Sequence, residues 1–330
     1  IKKIMCTRVV YSGTNGMVAT GRSMDWKTEM HSNLWAFPRG MMRSGEAGEN
    51  SLKWTSRYGS VVTSAFEIAS TDGMNEKGLV ANLLWLPETK YPLRDKNKPG
   101  LAITAWVQYM LDNFATVEEA VSYINEDTFQ VVSDMMPDGS RLATLHLSIS
   151  DAVGDCAIFE YVGGRLTVYH NKDYKVMTNS PTYDKQLALN EYWKTIGGLS
   201  FLPGTNRAAD RFARASFYIN ALPKTDDERI AVASVFSVVR NASVPYGIST
   251  PESPEISTTQ WRTVSESKSL RYFFESSLTP NTFWVDLRDL DFSEGAPVLK
   301  LSIANGEMYH GNTAKEFKIA LPFKFMGVRG

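Results

Sequence analysis

The sequence predicts an α+β fold: one domain with helices packed on the faces of mainly antiparallel sheets. Three observations carry this reading. Short segments rich in β-branched and aromatic residues alternate with a few amphipathic blocks, in the order strands, helices, strands, helices, strands. No Pro/Gly/Ser linker, composition shift or internal repeat divides the 330 residues. An apolar content of 43% is ample for a large core at this length.

The elements follow in chain order. CTRVVY (6–11) and MVATGR (17–22) flank the turn Ser12-Gly13-Thr14-Asn15-Gly16 and predict an N-terminal hairpin. YGSVVTS (58–64) and GLVANLL (78–84) are further strands. Ile103, Trp106, Val107, Met110, Leu111 and Phe114 keep helical spacing and line one face. A second helix starts at Thr116, where Glu119 completes a capping box. Leu145, Leu147 and Ile149 alternate with His146, Ser148 and Ser150, the period of a sheet with one buried face. Cys156–Val162 and Arg165–His170 face each other across Gly163-Gly164. Helices are predicted over Asp210–Leu222 and over Ile230–Arg240, the latter preceded by Thr225-x-x-Glu228. Leu270–Glu275 and Thr282–Leu287 return to strand character.

Composition removes several function classes. With 35 basic and 36 acidic residues well mixed, the net charge is −1, and no basic stripe suits nucleic acid. No apolar run approaches the ~18 residues of a membrane span. Two cysteines, Cys6 and Cys156, exclude a disulfide scaffold or a Cys-rich zinc site and leave room for one bridge. The start, Ile1-Lys2-Lys3-Ile4-Met5, has the basic character of a signal-peptide end, but no apolar region follows it. A Gly-rich phosphate loop, a G-x-S-x-G elbow and a His-x-x-x-His zinc pair are all missing. His31, His146, His170 and His310 are scattered, and neither cysteine carries the local signature of a Cys–His protease. His146, on an alternating strand, reads as a hydrogen-bonded sheet residue.

Cys6 stands out by position. As an isolated residue it reads as a small apolar strand residue. As the first residue of a mature chain it would hold a thiol and a free α-amine together. An α-amine of pKa ~7.7–8.0 accepts the thiol proton directly or through water. Such a site needs no histidine. If the predicted hairpin closes, Arg22 and Asp25 of Gly21-Arg22-Ser23-Met24-Asp25-Trp26 return close to Cys6. A guanidinium beside the thiol favours thiolate, and a carboxylate can orient the α-ammonium.

These residues bring a family into view. The blocks CTRVVYSG, TGRSMDW, WTSRYGSV, TDGMNEKGLVANLLWLPE, VMTNSPTYDKQL, LPGTNRAADRFARASF and TQWRTVSESKSLRYFFESS occur in order along the chain. Together they resemble the choloylglycine hydrolase family of N-terminal nucleophile hydrolases, which holds bile salt hydrolases and penicillin V acylases. The wording is closest to the penicillin V acylases usually associated with Gram-negative bacteria. The resemblance implies a four-layer αββα sandwich with two mainly antiparallel sheets. It divides the chain into residues 1–5, an extension or propeptide remnant, and a single hydrolase domain over 6–330. It also implies a cysteine amidohydrolase that cleaves a linear amide through a thioester acyl-enzyme, without metal or cofactor.

By motif, Cys6 matches the nucleophile, Arg22 and Asp25 its activating pair, Asn179 of MTNSP the oxyanion-hole asparagine, and Arg211 of DRFARA the family's arginine. Read alone, Asn179 is a turn residue before Ser180-Pro181 and Arg211 a helix-surface residue, with Arg207 and Arg214 as rivals. An oxyanion donor of this kind is worth about 2.7–4 kcal/mol of barrier height. Two departures stand beside the match. Five residues precede Cys6, and while Met5–Cys6 is intact there is no free amine at Cys6. Where many bile salt hydrolases carry an assisting Asn, this chain has Leu84 and Trp85, with Asn82 out of register, so a backbone N–H is the expected second donor.

For substrate, Trp26 and Trp85 are the expected acyl-binding residues, since aromatic rings suit a phenoxyacetyl group; their alternative role is core packing. N-acyl homoserine lactones also fit, and conjugated bile salts are the runner-up. Residues 87–100 and 135–141 are the expected rim of the cleft. A catalytically silent binding protein, with Cys6 never freed, is the reading from another class. The resemblance further implies a homotetramer in a periplasmic or secreted setting.

Overall fold

The computed structural model describes residues 5–251 and 256–328. Of the expected extension only Met5 is among them, and it is buried. Two sheets face each other. The seven-stranded sheet runs Val176–Met177, β1 (Cys6–Ser12), β2 (Val18–Trp26), Thr258–Glu266, Arg271–Ser276, Thr282–Asp286 and Gly311–Asn312. The nine-stranded sheet runs Arg165–His170, Cys156–Val162, Leu145–Ser150, Val80–Trp85, Ala69–Asn75, Ser60–Ala65, Leu34–Phe37, Leu299–Leu301 and Lys318–Ile319. Within these two sheets every pairing is antiparallel except the last of the smaller one.

Helices cover both outer faces. α1 (Trp106–Asn113) and α2 (Val117–Asn125) lie on the nine-stranded sheet; α4 (Ala208–Ala221) and α5 (Glu228–Asn241) lie on the other, with α3 (Tyr183–Ile196) packed against α4. The result is the expected αββα sandwich. All nine residues of β2 are buried, as a strand covered on both faces must be. Gly21 permits the close approach of α5, since a Cβ there would lie 2.5 Å from Val235 Cγ1 and 2.8 Å from Val239 Cγ2.

The N-terminal hairpin forms as predicted, with β2 extended to Trp26. Gly163 and Gly164 both have positive φ, the backbone a tight hairpin turn requires. Thr116 caps α2 by accepting from Glu119 N–H, but Glu119 reaches back to Ala115 N–H rather than to the cap residue, a shifted capping box. α5 starts two residues earlier than expected. Asp227 is its cap, accepting from Arg229 and Ile230 N–H, while Thr225 accepts from Asp227 N–H. α3 was not expected as a helix. Its buried residues are Tyr183, Gln186 and Asn190, two of them polar, so it shows no apolar stripe to read.

Candidate active site

Cys6 opens β1, a central strand, and is 2% exposed. Register explains its neighbours. Cys6 pairs with Met24 and Arg8 with Arg22 on β2. On its other side β1 pairs with Val176–Met177, Arg8 opposite Met177. Two steps further along that antiparallel ladder, Asn179 comes opposite Cys6. There Asn179 Oδ1 accepts from Cys6 N–H at 2.7 Å and from Arg211 Nη2 at 2.7 Å, while its Nδ2 donates to Trp85 O at 2.7 Å. These partners fix the amide orientation, because a flipped amide would set NH₂ against two donors. One Nδ2–H is thereby spent on Trp85, and the other makes no hydrogen bond among the described residues. Gln186 of α3 pins the loop by donating to Ser180 O at 2.7 Å and Asn179 O at 3.3 Å.

Arg211 of α4 is fully buried and ties the strand end together. It donates to Cys6 O at 2.5 Å, Thr7 Oγ1 at 2.6 Å and Asn206 O at 3.1 Å, besides Asn179. Its rivals are elsewhere: Arg214 donates to Pro203 and Thr205 carbonyls, and Arg207 stands at the N-cap of α4.

Arg22 and Asp25 both act on the Cys6 thiol, as the sequence suggested, but they reach it from opposite faces of β2. Three apart on a strand, their side chains leave opposite faces of the sheet. Arg22 points between the sheets, donates to Thr71 O at 3.0 Å and Leu83 O at 2.8 Å, and lies 3.5 Å from Asp72, with the Trp261 ring 4.9 Å away. Its counter-ion is thus Asp72, which also accepts from Asn82 at 2.7 Å, from Thr263 at 3.3 Å and from the Tyr272 hydroxyl. Asn82 is therefore engaged with Asp72 and not with the thiol. Asp25, on the helix side, accepts from Thr259 Oγ1 at 2.6 Å, next to a bulge in that strand pairing. Among the described residues its Oδ2 is buried without a hydrogen-bond partner.

These surroundings act on the protons. Burial pushes the Cys6 thiol up, opposed by the Arg22 guanidinium and, more weakly, by Arg211. Burial also pushes the Asp25 carboxyl up from its ordinary 3.8 to about 6, with Arg211 the strongest opposing charge.

Cys6 lines a cavity of about 780 Å³, counting its open mouth. Its walls are overwhelmingly apolar: Met24, Trp26, Phe66, Leu83, Trp85 and Met136 among them. Trp26 and Trp85 meet at 5.8 Å between ring centroids, tilted by 59°. Both tryptophans serve the cavity and the core at once. Of the two expected rims, 135–141 contributes Met136 and Pro137, whereas 87–100 contributes nothing and borders a separate depression instead. The unexpected wall is Met326–Val328, held by Met326 N–H to Ile68 O at 2.9 Å and by Thr104 Oγ1 to Met326 O at 2.8 Å. Among the described residues no histidine lines this cavity. His146 instead joins Glu160 at 2.8 Å and Thr178 O at 2.9 Å, supporting the Asn179 loop from beneath. Cys156 is a free thiol like Cys6, so the two do not form a bridge. Among the described residues no helix is long and apolar enough to cross a membrane.

A thiol, a side-chain amide with one N–H to spare and an apolar cavity together suit acyl transfer. The comparisons agree. The chain is 50% identical to a penicillin V acylase of Pectobacterium atrosepticum, over 98% of this chain and 93% of the relative. A solved penicillin V acylase structure from Agrobacterium tumefaciens superposes with a TM-score of 0.92 at 57% identity, covering 98% of this chain and all of the other. A conjugated bile acid hydrolase of Clostridium perfringens, solved as a mutant, shares the fold at a TM-score of 0.77 and 23% identity, over 90% and 96% of the two chains. The family model for linear amide C–N hydrolases matches residues 6–299, and the chain belongs to that choloylglycine hydrolase family.

Proposed function

We propose that this amide hydrolase acts on N-acyl substrates of the penicillin V type, with Cys6 as nucleophile once residues 1–5 have been removed. The observation that supports this most is the placement of Cys6: the first residue of a central strand, its nitrogen on Asn179 and its side chain on the cavity shared by Trp26 and Trp85. Freed from Met5, the nitrogen becomes an amine. Asp25, whose charge acts on Cys6 and whose buried Oδ2 is unpartnered among the described residues, serves as acceptor for the amine's added hydrogens in this reading.

In this reading the amine takes the thiol proton and sulfur attacks the amide carbonyl. The oxygen becomes negative and is met by the unspent Nδ2–H of Asn179. Arg22 offsets the cost of a buried thiolate, while Asp72 holds that arginine in place. The ammonium then protonates the departing amine, the C–N bond breaks and an acyl thioester remains. Water attacks the thioester, the acid leaves, and the thiol regains its proton. Trp26 and Trp85 receive the acyl group by ring contact.

Homotetramer assembly and a periplasmic location are further proposals resting on the resemblance alone, tested by sedimentation and cell fractionation. Function is tested by comparing hydrolysis of penicillin V and glycocholate, using protein verified by N-terminal sequencing to begin at Cys6. Preference for penicillin V supports the reading. Preference for glycocholate would move the chain to bile salt hydrolysis, and silence on both with Cys6 free would leave the fold standing and reopen the substrate. A binding protein is favoured where natural material keeps residues ahead of Cys6.

A further inference from the structure

We propose that Arg141 forms a carboxylate subsite at the mouth of the Cys6 cavity, selecting substrates whose amine half carries an acid over neutral ones. This rests on the acyl-pocket reading above and adds the chemistry of the leaving group.

Placement comes first. Arg141 belongs to the turn that starts at Met135. Arg141 O accepts from Met136 N–H at 2.7 Å, and Met135 bridges Leu142 across the turn. Met136 lines the cavity, so the arginine is anchored directly beside its wall. Its guanidinium lies 4.6 Å from the centroid of Trp85, the ring that borders the cavity with Cys6. Arg141 is half-buried.

Availability comes next. Arg22 has both terminal nitrogens on backbone carbonyls and its charge on Asp72, leaving only a buried Nε unpartnered among the described residues. Arg211 is spent on Cys6, Thr7, Asn179 and Asn206. Lys27 pairs with Asp138 at 3.4 Å. Among the described residues the Arg141 guanidinium makes no hydrogen bond or ion pair; its one close partner is the Trp85 ring. A stacked guanidinium keeps its in-plane N–H groups open, the geometry for a bidentate grip on a carboxylate. Burial depresses its pKa and Asp138 raises it; an arginine stays charged through the working range.

The reaction supplies the direction. After the C–N bond breaks, the acyl group stays on sulfur in the apolar interior while the amine must leave to solvent. The amine half therefore lies toward the mouth, where Arg141 waits. A penicillin or an N-acyl amino acid presents a carboxylate there. An N-acyl lactone presents none.

The test uses protein beginning at Cys6 and two substrates with one acyl group, N-phenoxyacetyl-glycine and N-phenoxyacetyl-glycinamide. A charge-assisted contact of this kind gives the acid an advantage of about ten- to a hundredfold in kcat/KM. Arg141→Gln should erase that advantage and leave the glycinamide rate within about twofold, and Arg141→Lys should retain part of it. Raising salt should weaken the acid substrate in the parent enzyme and spare it in Arg141→Gln. Equal rates on acid and amide in the parent enzyme would overturn the proposal. So would equal losses on both substrates in Arg141→Gln, which would mean that the arginine only props the Trp85 ring. The acyl-pocket reading is scored separately, by preference for phenoxyacetyl over acetyl at a fixed glycinamide.

Discussion

The two cysteines make an instructive pair. Cys6 and Cys156 are both buried and free, burial pushes both thiols up, and each has an arginine as its largest pKa-lowering charge. Cys156 sits 3.7 Å from Arg8 Nη2 and packs with Val10 and Val18, and it does not line the cavity that Cys6 borders. Cys6 borders that cavity and has its nitrogen on a side-chain amide. Burial and a neighbouring cation are therefore shared properties that do not single out a nucleophile. Access to the apolar cavity, and a place at the exposed end of a strand once the preceding residues are gone, are what differ.

The sharpest way to break the comparison is to exchange each sulfur. In protein beginning at Cys6, Cys6→Ser should fold normally and lose at least about a thousandfold in kcat, because a hydroxyl is far harder to ionise. Cys156→Ser should stay within about twofold in kcat, with circular dichroism confirming the fold of both. Iodoacetamide followed by mass spectrometry should label Cys6 and leave Cys156 unmodified in the native state. Equal labelling would end the distinction.

Asn179→Ala probes what the second thiol lacks. Loss of one oxyanion donor should lower kcat by about a hundred- to a thousandfold with a small change in KM. A change confined to KM would assign Asn179 to substrate binding instead.

Asp25 should appear in the pH profile. Its carboxyl is pushed up to about 6, so the ionised form that receives the ammonium is gained as pH rises through that value. The acid limb of kcat/KM should lie at or below about pH 6, since the nearby α-ammonium lowers it, and Asp25→Asn should remove that limb. The same shift has a stability sign. A carboxyl with a raised folded pKa favours the fold below its ordinary 3.8 and gives up that contribution as pH climbs through about 6.

The smallest effect concerns the acyl wall. Trp85→Ala leaves the backbone carbonyl that holds Asn179 and should cost phenoxyacetyl substrates about tenfold more than straight-chain ones. Equal losses would mean that the ring acts by packing alone.

Much of the site was legible because it is built on local repetition. The turn of the first hairpin and the Gly163-Gly164 turn rest on near-neighbour rules, and they formed as read. The alternation at 145–150 gave the strand but not its burial, because His146, Ser148 and Ser150 are covered as fully as Leu147 and Ile149. Family motifs supplied Asn179 and Arg211, whose contacts with Cys6 span 173 and 205 residues. Strand alternation could have separated Arg22 from Asp25 at once, since a spacing of three changes faces. The Asp72 partner lay inside the TDGMNEKGL block, yet nothing in the block says which arginine it meets.

By itself, then, the sequence determined the α+β class, the order of strands and helices apart from α3, and the hairpin that carries Cys6, and its family motifs implied the αββα layering and the chemistry. Only the tertiary structure decided that Asp72 balances Arg22, that Met326–Val328 and not residues 87–100 close the cavity, and that Arg141 stacks on Trp85. The reason is range. Hydrogen-bond ladders and side-chain periodicity act over a few residues and leave a repeating trace. Contacts between two sheets depend on how their faces pack, which no local pattern records.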